Sequence, residues 1–310
     1  MVYETDKPLV SIICDVYNQE QYIRTCLNSL INQKTTFKYV ILIHDDASTD
    51  SSQQIIKEYI NKYPNLFLPI FQRENQYSKG VSIWDTYQLP RVETPFIAFC
   101  EGDDYWTDPK KLQNQVDFLI NNPDYTMCFH NVTEHFEDGS IPDRLHWDVE
   151  KRDYSDLEIF SNWIIQTASV VMRANVIQST FYNTMFHIVK PVHGDIPLFV
   201  VCAMCGKVFG FSNIMSLYRR HNTNISSIED LEGLKKEAEY MMRFLHCFGK
   251  KFTKPCIHAY VRDYTSLFIY SRKQGFFCWK YLWKAFYRSP YYFVKCIYES
   301  AKASLRRRLL

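Results

Sequence analysis

The sequence predicts an α/β fold: a mostly parallel sheet flanked by helices, followed by a basic, aromatic helical extension. Three observations carry this. From residue 9 to about 130, short apolar runs alternate with amphipathic stretches, the rhythm of βαβ units. A polar stretch to about 160 interrupts that rhythm, which then resumes with a strand and an apolar helix. The last 78 residues hold 19 aromatics and read as several helices.

The elements follow in order. Strands are expected over Leu9–Cys14, Tyr39–His44, Leu66–Phe71, Phe96–Cys100 and Tyr125–Phe129. Between them, Gln21–Ile31 sets Ile23, Leu27, Leu30 and Ile31 on one helical face. Asp50–Tyr63 opens on Asp50, Ser51 and Ser52, all good N-caps. Pro109–Asn121 follows Asp108, a cap with Pro at the first helical position. Later come a strand near Ser169–Arg173 and a helix from Ile196. The domain boundary falls near residue 228: a catalytic domain over 1–228, with halves of about 8–130 and 131–228, and an extension over 229–310.

Composition narrows the function classes. With 46% hydrophobic and 23% charged residues in 310, and only 9 Gly and 12 Pro, the chain is globular rather than disordered or repetitive. The opening MVYETDKPLV lacks a basic n-region and an apolar h-region, and no apolar run approaches the roughly 18 residues of a membrane span. A cytoplasmic protein is therefore expected. Ten scattered cysteines fit a reducing compartment. Cys202 and Cys205 form a CxxC in apolar surroundings with no second ligand pair, which reads as helix packing rather than a zinc site.

Acidic residues gather where strands end. Asp15 follows the first strand, Asp45 and Asp46 the second, and Glu101, Asp103 and Asp104 the fourth. Functional loops of open parallel sheets lie at such carboxyl ends. Three carboxylates within four positions repel one another unless a cation neutralises them, and their hard oxygens suit Mn²⁺ or Mg²⁺. A solvated acidic loop or a capping cluster is the plain alternative. A carboxylate of the Asp45–Asp46 pair could accept a hydrogen bond from a base or ribose. No glycine-rich phosphate loop accompanies it, which excludes a dinucleotide-binding dehydrogenase and leaves phosphate to a metal and basic side chains.

The segments VSIICDVYNQEQYIRTCLNSLINQ, VILIHDDASTDSS and FIAFCEGDDYWTDPKKL resemble, in order and spacing, the signatures of family 2 glycosyltransferases. The resemblance covers roughly residues 8–225 and implies the GT-A fold, a Rossmann-like mixed sheet flanked by helices. It implies an inverting enzyme that moves a sugar from a UDP- or GDP-sugar to an acceptor hydroxyl. By position, Val16, Tyr17, Asn18 and Glu20 line the nucleotide pocket and Asp46, less surely Asp45, meets the base. Glu101, Asp103 and Asp104 match the DxD-type motif, with Asp103 contacting the metal. HGDIPLF supplies Asp195 as the base, although a helix N-cap is its plain reading and the family more often has Glu-Asp there. LYRRHNTNISS resembles the segment over the diphosphate, so Arg219, Arg220 and His221 are expected to neutralise phosphate or complete the metal shell; an exposed basic turn is the alternative. A non-catalytic sugar-nucleotide binder or assembly subunit is the competing class. A nucleotidyltransferase fits less, because CDVYNQEQYIR lacks the Gly-rich basic loop.

Charge is distributed unevenly. Residues 233–310 carry 17 Lys and Arg against 4 acids, a balance of +13, whereas the remainder carries 19 against 30, or −11. Lys280, Lys284 and Arg288 recur at four-residue spacing among Trp279, Trp283, Phe286 and Tyr287, and Arg306–Arg308 follow. Aromatic and basic residues on one helix suit an anionic membrane surface. A helical cap with solvated lysines is the alternative; no nucleic-acid module accompanies the basic residues. An enzyme at the cytoplasmic face of a membrane, acting on a glycan or lipid-linked acceptor for cell-surface polysaccharide, is the resulting expectation.

Overall fold

The computed structural model describes residues 7–221, 231–273, 275 and 278–309. The chain divides into two compact units, one of Met1–Tyr182 with Gly194–Asn224 and the other of Asn183–His193 with Ile225–Leu310. The boundary expected at residue 228 lies outside the described residues.

The first unit is a mixed sheet with helices against it. It opens with β1 (Val10–Val16), α1 (Ile23–Ile31), β2 (Tyr39–Asp45), α2 (Ser52–Lys62), β3 (Phe67–Phe71) and β4 (Phe96–Phe99). Then come β5 (Tyr105–Trp106), α3 (Lys111–Asn121), β6 (Tyr125–Phe136), β7 (Arg144–Leu145), β8 (Arg152–Tyr154), α4 (Asp156–Ser161) and β9 (Val171–Arg173). One helical turn, α5 (Thr180–Asn183), precedes α6 (Asp195–Cys205) and β10 (Lys207–Arg220). The strand order is β3-β2-β1-β4-β9-β6-β10-β5, with β7 beside β6 and β8 beside β10. β3, β2, β1 and β4 run parallel, and so do β6 and β10. β9 is antiparallel to both β4 and β6 and joins the two sets.

The core forms where the expected periodicities meet. Ile12, Cys14, Ile41 and Ile43 from alternate strand positions pack with Ile23, Leu27 and Leu30 of α1 and with Leu112, Val116 and Leu119 of α3. α6 is apolar all round and buried from Pro197 to Cys202, as a central helix must be. Cys202 is in that core with its Sγ 3.8 Å from Met172 Sδ, an ordinary packing contact.

Three elements depart from expectation. α3 begins at Lys111 rather than Pro109, because Asp108 caps a preceding turn: its Oδ1 accepts from the Lys110 N–H at 2.8 Å. α2 begins at Ser52, with Asp50 Oδ1 accepting from the Ser52 N–H at 2.9 Å. β6 continues through the polar residues 130–136 instead of ending at Phe129. Asn131 is satisfied there, donating to the Val149 and Ser212 carbonyls and accepting from the Val149 N–H, so a polar side chain does not end the strand.

The second unit contains α7 (Leu231–Phe248), α8 (Thr253–Lys273), α9 (Trp279–Arg288) and α10 (Pro290–Leu309). Ala238, Val261, Tyr264, Leu267, Ala285 and Cys296 form its small core. Among the described residues no helix is long and apolar enough to cross a membrane. The side chains of Arg306, Arg307 and Arg308 lie outside the described residues.

Candidate active site

β1, β2 and β4 end at the same edge, in a register that sets Val16 opposite Asp45 and Ile13 opposite Phe99. Their loops therefore converge. The Cys100 N–H donates to the Ile13 carbonyl and the Gly102 N–H to the Asp15 carbonyl, each at 3.0 Å, drawing residues 100–102 onto β1. The approach is close at Gly102, where a Cβ would lie 2.4 Å from Gln19 Oε1 and 3.0 Å from both Ile23 and Val16, so a larger residue would need those side chains to shift.

The loops after β1 and β2 interlock. Asn18, at φ 51°, donates its N–H to Ser48 Oγ at 2.9 Å and accepts from the Thr49 N–H at 2.8 Å. Glu20 donates its N–H to Asp50 Oδ2 at 3.0 Å and accepts from the Ser51 N–H at 2.8 Å. A cleft of about 450 Å³ opens beside them, lined in part by Asn18, Glu20, Tyr22, Glu137 and His221. Val16 is buried at the end of β1, while the Tyr17 side chain is exposed.

Asp45 and Asp46 hold different parts of the loop structure. Both Asp46 oxygens are engaged, Oδ1 by the Gln76 N–H at 2.8 Å and Oδ2 by the Tyr77 N–H at 2.9 Å. Asp46 thus holds the turn at 75–77. Asp45 Oδ1 accepts from the Ser48 N–H at 2.9 Å and Gln53 Nε2 at 2.6 Å, whereas its buried Oδ2 has no partner among the described residues.

The acidic motif after β4 also splits. Asp103 Oδ2 lies 3.0 Å from His221 Nε2. Asp104 is buried and turned inward: Oδ1 accepts from the Arg219 N–H at 2.9 Å and Oδ2 from Gln166 Nε2 at 2.8 Å. Both its oxygens being engaged, Asp104 braces the motif from inside, whereas Asp103 Oδ2 faces His221. Burial, then the neighbouring Asp103 charge, pushes the Asp104 carboxyl well above the usual range. Half-buried Glu101 is raised well above its range by desolvation and then by Asp104, Asp103, Asp15 and Asp195, so these carboxylates share one field. That excess of negative charge beside an imidazole suits a hard divalent cation. Among the described residues no three of His, Cys, Asp and Glu converge as a ready cage. Mg²⁺-type sites use one or two carboxylates and take further ligands from substrate phosphate.

β10 delivers its last residues to opposite faces, as strand alternation requires. Arg219 lies over the Tyr22 ring at 5.2 Å and the Tyr105 ring at 4.9 Å, and pairs with Glu137. His221 stacks on Tyr22, with centroids 4.8 Å apart. Arg220 contacts Glu134 at 3.6 Å and the Tyr218 hydroxyl at 3.1 Å. The expected trio is thus Arg219 and His221 on one face and Arg220 on the other.

Asp195 is the first residue of α6, behind an N-cap at Gly194 that makes no side-chain cap bond. Tyr22, Glu137 and Gln166 were given no donor-site role from the sequence, and Asp15 was placed at its strand end without one. Tyr22 stacks under Arg219 and His221, Glu137 holds Arg219, and Gln166 holds Asp104. Asp15 accepts from Trp84 Nε1 at 2.8 Å and Gln88 Nε2 at 2.6 Å, fixing the segment at 84–88. Burial raises the Asp15 carboxyl to about 6 despite those bonds. Its place directly after β1 was the available signal; Glu137 and Gln166 gave none, being remote in sequence from the residues they hold.

Residues 11–179 match the model of glycosyl transferase family 2. The chain belongs to that family. The matched stretch includes the loops after β1, β2 and β4; Asp195, Arg219, Arg220 and His221 lie beyond it. An uncharacterised protein of Mycobacterium tuberculosis is 39% identical over 215 residues, covering 68% of this chain and 59% of its own length. TuaG of Bacillus subtilis, a putative teichuronic acid biosynthesis glycosyltransferase, is 28% identical over 166 residues, covering 54% of this chain and 62% of its own. The chain thus spans about three fifths of the length of these relatives. S. aureus TarS 1-349 in complex with UDP-GlcNAc superimposes with a TM-score of 0.64 at 17% identity, covering 91% of this chain and 80% of that one. The mannosyltransferase PcManGT of Pyrobaculum calidifontis, in complex with GDP-Man and Mn²⁺, gives 0.53 at 12% identity, covering 95% and 87%. At these identities the likeness is one of fold, and the family 2 chain has the expected GT-A-like mixed sheet with a C-terminal helical region.

Proposed function

We propose that this family 2 chain transfers a sugar from a UDP- or GDP-sugar to an acceptor hydroxyl with inversion at the anomeric carbon. Its setting is the assembly of cell-surface polysaccharide or a lipid-linked glycan, in the cytoplasm or at its membrane face. The observation that carries the reading is the meeting of the Asp103–His221 pair with Arg219 beside a cleft at the carboxyl ends of β1, β2 and β4. The similarity to TuaG, a putative teichuronic acid biosynthesis glycosyltransferase, supports the polysaccharide setting, and the UDP-GlcNAc and GDP-Man of the two solved neighbours support a nucleotide-sugar donor.

In this mechanism the interlocked loops of Val16, Tyr17, Asn18 and Glu20 form the nucleotide side of the cleft. Asp46 serves the base pocket through the turn it holds, and Asp45 keeps one oxygen for an N–H donor. A bound Mn²⁺ or Mg²⁺ would be held by Asp103 with His221 and would offset the charge of the donor diphosphate. Arg219 faces the same diphosphate and stabilises it as it departs. Gln166 and the Arg219 N–H keep Asp104 turned inward, which fixes the backbone on which Asp103 stands. Asp195 takes the proton from the attacking hydroxyl. Its nearness to Glu101, strong enough for the two charges to interact, supports its place at the reacting edge.

Calorimetric titration with UDP- and GDP-sugars, with and without Mn²⁺, tests the donor site. One nucleotide sugar should bind the parent in a metal-dependent way and fail to bind Asp103→Ala; a parent that binds none overturns the proposal.

A further inference from the structure

The second unit turns apolar side chains outward. α9 and α10 bury Ala285 and Cys296, and among the described side chains little else of them is fully covered. On α9, Trp283 is 51% and Tyr287 78% exposed; on α10, Tyr291 is 72%, Val294 64% and Tyr298 67% exposed. Spacings of four on α9 and of three and four on α10 align each set along one face. The Trp283 and Tyr287 rings lie 5.3 Å apart and the Trp283 and Phe286 rings 6.2 Å apart, so the α9 stripe is continuous. A contiguous exposed apolar face of this kind marks an interaction surface.

Charge selects the occupant. Residues 279–310 carry eight Lys and Arg and one acid, Glu299. Lys280 and Arg288 are exposed beside the aromatic stripes, and Lys295, also exposed, pairs with Glu299 at 3.8 Å. Lys284 is not among the available cations, because its Nζ donates to the Tyr264 hydroxyl at 2.8 Å and braces α9 on α8. Pairing with the same face of a second copy would bring like charges together. Rings that settle at the depth of headgroups, ringed by amines that meet lipid phosphates, match an anionic bilayer surface.

We propose that the outward face of α9 and α10 docks the protein on anionic phospholipid headgroups, lying on the bilayer without crossing it. The surface belongs to the second unit alone and is independent of the donor-site chemistry.

Sedimentation of the full chain with vesicles tests this. The parent should partition onto equal parts of phosphatidylcholine and phosphatidylglycerol, stay off phosphatidylcholine alone, and be released by high salt. Trp283→Ser with Tyr287→Ser, and separately Lys280→Glu with Arg288→Glu, should each weaken partition by about tenfold or more. Unfolding temperature and nucleotide-sugar titration should stay at the parent's values, which separates a lost surface from a lost fold or donor site. Partition equal in parent and variants, or absent in the parent on every vesicle, overturns the proposal. So does a concentration-dependent dimer, seen by ultracentrifugation, that these variants dissociate.

Discussion

Gln166 Nε2 donates to Asp104 Oδ2 at 2.8 Å, tying the turn before β9 to the acidic motif that follows β4. Both side chains are buried, so the bond is shielded from water and its loss leaves a carboxylate oxygen without a partner. Gln166 touches no part of the cleft directly and acts as a positioning residue. Gln166→Leu should lower kcat by about 10- to 100-fold, the usual loss when an outer partner of a ligand set is removed. The Mn²⁺ concentration giving half activity should rise with it, and Gln166→Glu should not restore the parent, since it sets two carboxyl groups face to face. An unchanged Mn²⁺ dependence in the Leu variant would mean that Gln166 only packs.

Asp195 opens α6 and has a role in the proposed mechanism separate from donor binding. Asp195→Asn keeps the volume and removes the proton acceptor, so turnover should fall by roughly 10²- to 10⁴-fold while donor affinity stays within about twofold. Single-turnover kinetics beside calorimetry makes the distinction. Full turnover in the Asn variant removes Asp195 as the base; lost donor binding moves it to the donor site.

Glu137 pairs with the cation that the proposed mechanism turns to the diphosphate. The Arg219 guanidinium pairs with it while lying over Tyr22, so an arriving diphosphate has to compete with a resident carboxylate. Glu137→Gln should tighten donor binding by roughly 3- to 10-fold at low ionic strength, with the gain shrinking as salt screens the partly exposed pair. Arg219→Gln should weaken it. If Glu137→Gln leaves affinity unchanged at every salt concentration, Arg219 does not meet the diphosphate.

Much of this arrangement is legible in the sequence, for physical reasons. Apolar alternation locates β1, β2 and β4, and strand ends in an open parallel sheet fix where their acids must gather. What stays hidden is orientation. Asp103 and Asp104 are equivalent in sequence, and only the Arg219 N–H and Gln166, 115 and 62 positions away, turn one of them inward. Arg219 and Arg220 read as one basic pair until β10 is known to extend through both, sending one toward Tyr22 and the other toward Glu134. Likewise β6 reads as ending at Phe129, because the partners of Asn131 come from Val149 and Ser212.

Lys111 gives the fold a pH dependence of definite sign. Its side chain is fully buried with Nζ over the Trp106 ring at 4.1 Å and, among the described residues, no hydrogen bond to the amine, and desolvation brings its pKa from 10.5 down to about 7. Below pH 7 the folded and unfolded states both hold the proton, and burying the charge costs its full amount. Between about 7 and 10.5 the unfolded chain holds a proton that the folded one has released, so stability rises with pH; above that range the cost is gone. Lys111→Met preserves the apolar stem and removes the amine. It should stabilise the protein by roughly 1–4 kcal/mol at pH 6, with a gain that narrows steadily toward pH 10. Urea unfolding of parent and variant across that range measures both. A gain independent of pH would assign the effect to packing against Trp106 rather than to the buried charge.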